Sequence, residues 1–279
     1  MSKVLVTGGA GFIGSHTSLQ LIKSGFDVCI ADSLVNSSEL VISQIQNIIK
    51  LNKSLYKGRL FFRKGDLLDK NYLKNIFIEF KDNEKNPPFD FVIHFAGLKS
   101  AEESVNEPLK YWNTNLIATL NLLETMYDFE CYSLVFSSSA YIYEPNIIGR
   151  FKENSTRNPI NPYGNTKFAI EKVLEDLFKS NCKKWRIANL RYFNPAGAHD
   201  SGLIGEFLSD KPTNLFPIVL KVAKGEYKEL SIYGNNWPTK DGTCIRDYIH
   251  IMDLADAHLA ALEFLENNNP QIIAFNIGT

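Results

Sequence analysis

A glycine-rich turn stands at residues 8–14, between the first apolar run of the chain and its first amphipathic stretch. Thr7-Gly8-Gly9-Ala10-Gly11-Phe12-Ile13-Gly14 satisfies Gly9-x-Gly11-x-x-Gly14 and also the wider Gly8-x-x-Gly11-x-x-Gly14. Residues 3–7 before it read as a strand, and residues 12–24 after it as a helix. Glycine is needed at this spacing for separate reasons. One makes the tight turn, the next lets the backbone approach a pyrophosphate, and the last packs helix on strand. The free N–H groups and the positive dipole end of the helix then face the anion. The turn commits the chain to open as a strand-turn-helix unit built around a phosphate.

The rest of the chain continues that rhythm. Apolar runs rich in β-branched and aromatic residues fall at 3–7, 26–31, 60–63, 89–95, 132–136 and 187–193. Helical periodicity falls between them, at 12–24, 40–52, 72–80, 108–127 and 162–179. Near-continuous apolar strands alternating with helices predict an α/β fold with a doubly wound parallel sheet. Residues 81–88 read as a surface loop. After Asn194 the rhythm breaks into loops, with a weak strand signal at 230–233. The expected division is a dinucleotide-binding domain over residues 1–194 and a smaller substrate-binding region over 195–279.

Thirty basic and 31 acidic residues give a formal charge of -1, so the chain lacks the basic excess of a nucleic-acid binder. A hydrophobic fraction of 44% excludes whole-chain disorder. Cys29, Cys131, Cys182 and Cys244 are far apart and form neither a CxxC pair nor a disulfide framework. With a strand beginning at Lys3 and no apolar run of about 18 residues, neither a signal peptide nor a membrane span is expected. The expectation is a soluble, cytoplasmic protein without a metal.

Asp32 ends the second apolar run, eighteen positions after Gly14. A carboxylate there accepts hydrogen bonds from adenosine ribose hydroxyls and repels a 2′-phosphate, which favours NAD over NADP. The competing reading is an aspartate that caps the following turn. Asp66, in Gly65-Asp66-Leu67 after the third run, is a weaker candidate for the adenine amino group. Tyr163-x-x-x-Lys167 puts a phenol and an ammonium one turn apart on one helix face, with Asn161 and Pro162 as N-cap and first helical residue. With 12 tyrosines, about one such pair is expected by chance, so its context decides. That context is Ser137-Ser138-Ser139, ending the fifth strand at the edge where ligands of open α/β sheets bind. Lowering a phenol pKa from ~10 by about three units needs ~4 kcal/mol. A lysine ~5 Å away at an effective dielectric of ~20 supplies about 3 kcal/mol. A positively charged nicotinamide ring would supply the rest.

Further segments carry a resemblance: Ile93-His94-Phe95-Ala96-Gly97-Leu98-Lys99, Phe136-Ser137-Ser138-Ser139-Ala140, Arg191-Tyr192-Phe193-Asn194-Pro195, and Asp241-Gly242-Thr243 with Arg246-Asp247-Tyr248-Ile249-His250. With them the chain resembles the extended short-chain dehydrogenases/reductases over essentially its whole length, and among them the UDP-glucose 4-epimerases. The resemblance implies a Rossmann-like NAD-binding domain and a homodimer formed by the 108–127 and Tyr163 helices. It implies that Tyr163 is the base, that Lys167 tunes it and holds the nicotinamide ribose, and that Ser139 orients the sugar hydroxyl. It places Gly8, Gly11, Phe12, Ile13, Gly14, Asp32, Asp66, Leu67, Phe95, Ala96, Gly97, Lys99, Asn115 and Tyr192 on the cofactor. Asn194, Asn214, Leu215, Tyr233 and Arg246 fall at positions that hold the nucleotide-sugar.

The chain departs from that pattern in places. Tyr141 and Glu144 stand where the family has a small residue and a glycine, and Ser33 replaces an asparagine. The family also continues past the position of Thr279 into a segment that grips UDP, so UDP-sugars are expected to be held weakly here and NAD retained. His94 and His16 read as packing residues, and His258 with the acidic stretch 253–256 has no metal-ligand spacing. The expected reaction interconverts UDP-glucose and UDP-galactose through a 4-keto sugar. Sister dehydratases and decarboxylases need a further acid in the 139–141 stretch, where alanine and tyrosine stand. A non-catalytic NAD-binding module is the remaining alternative.

Overall fold

In the computed structural model, which describes residues 1–83, 85–145, 149–206, 212 and 214–279, the apolar runs form a sheet because their side chains are buried on both faces. Six strands follow in order: β1 (Lys3–Thr7), β2 (Asp27–Asp32), β3 (Leu60–Lys64), β4 (Phe91–His94), β5 (Ser133–Ser139) and β6 (Arg186–Tyr192). A short pair, β7 (Asn194–Ala196) and β8 (Tyr248–His250), lies outside the sheet, and β9 (Ile272–Ile277) returns to it. The sheet order is β3-β2-β1-β4-β5-β6-β9, and every pairing is parallel. The doubly wound architecture expected from the alternation is the one observed.

The pleat sends alternate residues to opposite faces. Val4, Val6, Val28 and Ile30 pack against α1 (Phe12–Lys23), α2 (Leu40–Leu51) and α9 (Ile251–Asn267). Leu5, Cys29, Val92 and Leu134 pack on the other face against α3 (Lys70–Phe80), α6 (Ala118–Asp128) and α7 (Pro162–Ser180). Asp69 starts α3 two residues before the apolar period does, by accepting from the Asn71 and Tyr72 N–H groups at 2.9 and 3.2 Å. Two short helices, α4 (Ala101–Asn106) and α5 (Pro108–Tyr111), precede α6, and α8 (Leu215–Ala223) lies in the loop-rich stretch.

Three details differ from the sequence expectation. The 108–127 helix contains a π-helical turn, Trp112–Ile117, between α5 and α6. Residues 230–233 form no strand. Residues 195–279 are not one separate region, because β9 pairs with β6 and α9 packs under the sheet. No helix among the described residues is long and apolar enough to cross a membrane.

Three core histidines leave a measurable mark on stability. Burial lowers the pKa of His94 to about 3 and of His16 and His258 to about 4. His94 accepts and donates between two threonine hydroxyls, Thr7 Oγ1 at 2.6 Å and Thr119 Oγ1 at 2.8 Å. It is a satisfied core residue. The unfolded chain protonates all three near pH 6.5 and the folded chain does not, so stability falls as pH drops through that value. Urea unfolding at pH 5.5 should show a loss of about 4 kcal/mol against pH 7.5, roughly 1.4 for each imidazole. A flat profile over that window would contradict three neutral buried rings.

Candidate active site

The strand order reverses between β1 and β4, and the loops that leave their carboxyl ends meet there. Gly8 has φ +68°, and a Cβ on it would stand 2.6 Å from the Ala96 nitrogen. A side chain at 8 would therefore push the two loops apart. A Cβ on Gly14 would come within 2.5 Å of the Gly8 oxygen, which fixes helix against turn. Gly11 differs, since its Cβ would meet only the Gly8 oxygen at 3.2 Å and otherwise open space. Gly11 is the N-cap of α1, and no side chain caps that helix end. Phe12, Ile13 and Gly14 form its first turn, where N–H groups lack intrahelical partners. An uncapped helix end beside an open glycine suits a pyrophosphate.

Asp32 is buried at the end of β2 and already engaged. Its Oδ2 accepts from the Ala10 N–H at 2.9 Å, and its Oδ1 from the Leu34 N–H at 2.8 Å and the Ser37 hydroxyl at 3.0 Å. The turn-capping reading thus holds. A carboxylate has about four acceptor sites, so room for one ribose hydroxyl is left. Asp66 is exposed and accepts from the Leu68 N–H, with Leu67 buried beside it.

On the far side of the cleft, the π-helical turn does local work. It brings Asn115 inward, so that its Oδ1 accepts from the Leu98 N–H at 2.7 Å and its Nδ2 donates to the Leu98 carbonyl and Thr166 Oγ1, each at 3.1 Å. That clamp shapes the Phe95–Gly97 loop, and a Cβ on Gly97 would touch Asn115 Oδ1 at 3.0 Å. π-helical turns recur at functional sites for such reasons.

Asn161 caps α7 by accepting from the Gly164 N–H at 2.8 Å, with Pro162 first in the helix, as the sequence predicts. The helix presents Tyr163 and Lys167 to the end of β5, where Ser139 stands; all three side chains are buried. Burial pushes the Tyr163 phenol up to about 12, against the opposing effect of the Ser139 hydroxyl. Burial pulls Lys167 down to about 8. Lys167 Nζ donates to the Ser137 carbonyl at 2.7 Å and lies 4.9 Å from the centre of the Phe136 ring.

One turn beyond Lys167 on α7 is Glu171, fully buried and absent from the sequence candidates. Its carboxylate accepts from Ser138 Oγ at 2.6 Å, from Arg191 Nε and Nη2 at 2.9 and 2.6 Å, and from Arg157 Nη1 at 3.1 Å. The i,i+4 step from Lys167 was the signal that could have found it. Tyr192 is bonded to Ser137 through their hydroxyls and packs 5.9 Å from the His258 ring, so its hydroxyl serves the core.

The expected sugar-nucleotide residues are less closely gathered. Asn194 Nδ2 donates to the Asp247 carbonyl at 3.2 Å, which ties the 246–250 segment to the end of β6. Lys99 Nζ and Asn214 Nδ2 both reach Glu206 Oε1, at 3.3 and 3.1 Å. Leu215 opens α8. Tyr233 is 92% exposed, and Arg246 donates to the Ile245 carbonyl. Among the described residues, no group of acidic, cysteine or histidine side chains could hold a metal.

Residues 4–278 match the NAD dependent epimerase/dehydratase family. The chain belongs to that family. It is 48% identical over 278 residues to a UDP-glucose 4-epimerase of Cyamopsis tetragonoloba, covering 99% of this chain and 75% of that one. It is 46% identical to a bifunctional UDP-glucose 4-epimerase and UDP-xylose 4-epimerase of Pisum sativum, covering 99% and 76%. The crystal structure of a Bifidobacterium longum UDP-glucose 4-epimerase with NAD and UDP superimposes with a TM-score of 0.89 at 39% identity, covering 100% of this chain and 78% of that one.

Asp32 gives this family member a two-part prediction. Asp32→Ala should relax discrimination against NADP, because the repulsion of a 2′-phosphate disappears. It should also destabilise the fold by about 2–4 kcal/mol, since the buried Ala10 N–H and its neighbours lose their acceptor. Cofactor titrations and urea unfolding check both halves. An unaltered protein that prefers NADP would refute the cofactor half.

Proposed function

We propose that this enzyme interconverts UDP-glucose and UDP-galactose with tightly bound NAD. The observation that carries the reading is the convergence of Ser139, Tyr163 and Lys167 at the carboxyl edge of the parallel sheet, the same edge from which the glycine turn leaves β1. The glycine turn, Asp32 and the Phe95–Gly97 loop would hold the dinucleotide, and Lys167 its nicotinamide ribose. When bound, NAD supplies reversible hydride acceptance at C4 of the sugar, so the sugar passes through a 4-keto form. Tyr163 takes the proton of the 4-hydroxyl and later returns one, while Ser139 orients that hydroxyl. Burial holds the Tyr163 phenol near 12, so it is protonated at neutral pH and needs positive charge beside it to serve as the base. An oxidised nicotinamide held beside Tyr163 would supply that positive charge and favour the phenolate.

Asn194, Asn214, Leu215, Tyr233 and Arg246 are assigned to the UDP-sugar on the family pattern. The enzyme works in the cytoplasm, a reading that its four free cysteines support.

Tyr163→Phe should reduce turnover in a coupled UDP-galactose assay to a few per cent or less, with NAD still bound. Lys167→Met should lose turnover and weaken NAD as well. A Tyr163→Phe protein with near-normal turnover would remove Tyr163 as the base.

Two copies pair through the face carrying α5, the π-helical turn and α6. Leu109 is 82% exposed there, beside exposed Ile117 and Trp112. Sedimentation should give twice the chain mass for the unaltered protein and the chain mass for Leu109→Glu with Ile117→Glu. A monomeric unaltered protein would rule the pairing out.

A further inference from the structure

Of the departures from the family pattern, Tyr141 is the one that touches the expected base. Its ring meets the Tyr163 ring edge-on, with centroids 5.9 Å apart and planes at 70°. The backbone beneath it is fixed. The Tyr141 N–H donates to Ser139 Oγ at 3.2 Å, and its carbonyl lies so close to Gly164 that a Cβ there would stand 2.5 Å away. The next two residues, Ile142 and Tyr143, are buried. The Tyr141 side chain itself is 46% exposed. It is a rigidly mounted ring with one side on the base and the other open.

We propose that Tyr141 determines which UDP-sugar the site accepts, by filling the space beside C5 of the pyranose. The proposal rests on Tyr163 acting at the 4-hydroxyl. A group in contact with that base lies next to C4, whose ring neighbours are C3 and C5. C3 carries a hydroxyl in the hexoses and pentoses alike. C5 carries a hydroxymethyl group in a hexose and hydrogen alone in a pentose, so C5 is where the neighbouring ring can discriminate. The hydroxyl or acetamido group on C2 is one carbon further away. A phenol ring in place of a small residue occupies the volume a hydroxymethyl group needs. This chain therefore favours UDP-pentoses over UDP-hexoses more than a relative with a small residue at this position. One methylene-sized misfit in a pocket is worth about 10–200-fold.

The test compares NAD-loaded wild type, Tyr141→Thr and Tyr141→Phe for calorimetric affinity and turnover with UDP-glucose, UDP-xylose and UDP-N-acetylglucosamine. Tyr141→Thr should raise the preference for glucose over xylose by about tenfold or more. Tyr141→Phe, which keeps the ring, should stay within about twofold of wild type, as should the ratio of N-acetylglucosamine to glucose in all three proteins. An unmoved glucose-to-xylose ratio in Tyr141→Thr would overturn the proposal. So would an equal shift in Tyr141→Phe, which would make the hydroxyl the cause, or an equal shift at the C2 substituent, which would mean general loosening. Binding ratios do not depend on proton transfer. A wild type that binds these sugars without interconverting them would therefore refute the epimerase reading while the affinities still decide the role of Tyr141.

Discussion

The buried carboxylate of Glu171 is the point on which the candidate site is hung. It sits on α7 and accepts from Ser138 on β5, from Arg191 on β6 and from Arg157 in the preceding loop. Helix and strands are thereby fixed at the level where Ser139 and Lys167 project. A carboxylate this deep needs several charged donors to offset its lost hydration, and two guanidinium groups with a hydroxyl meet that need. One of those anchors continues outward. Arg191 also donates to the Tyr143 hydroxyl and the Glu153 carbonyl, and Tyr143 to Asn276 on β9. The network reaches from the catalytic strand to the sheet edge.

The cofactor side depends on the absence of atoms. Gly8 and Ala96 approach until a single methyl group would not fit, and Gly14 closes on Gly8 in the same way. The two halves of the site are thus positioned by opposite means. One uses charge buried at depth, and the other uses close backbone contact. Between them, the hydroxyl of Thr7 and the ring of His94 join the ends of β1 and β4.

Much of this is legible in the chain itself where the cause is local. The glycine spacing, the Asn161-Pro162 helix start and the Tyr163–Lys167 step each act within one turn, and each is found where the sequence predicts it. Non-local causes are not legible. Nothing near Asp32 announces that the Ala10 N–H will occupy one of its oxygens, and nothing near Lys167 announces the Ser137 carbonyl as its partner. The single helix expected over 108–127 misses the π-helical turn because the inward pull on Asn115 comes from Leu98 and Thr166. A different failure hides α9. Its Ala- and Leu-rich sequence is helical in itself, but it follows a stretch whose loops break the alternation.

The late return of β9 to the sheet has a consequence for synthesis. Tyr192 ends β6, and its outer neighbour begins at Ile272, eighty positions later in the chain. While a ribosome makes that interval, at about 5–20 residues per second, β6 has an open row of backbone donors and acceptors for roughly four to sixteen seconds. Tyr143 and the Glu153 side chain meanwhile lack Asn276 as their partner. A nascent chain in that condition invites strand pairing with its neighbours on the same message. The yield of folded protein should thus be sensitive to translation speed between β6 and β9 and to chaperones that shield an unpaired edge.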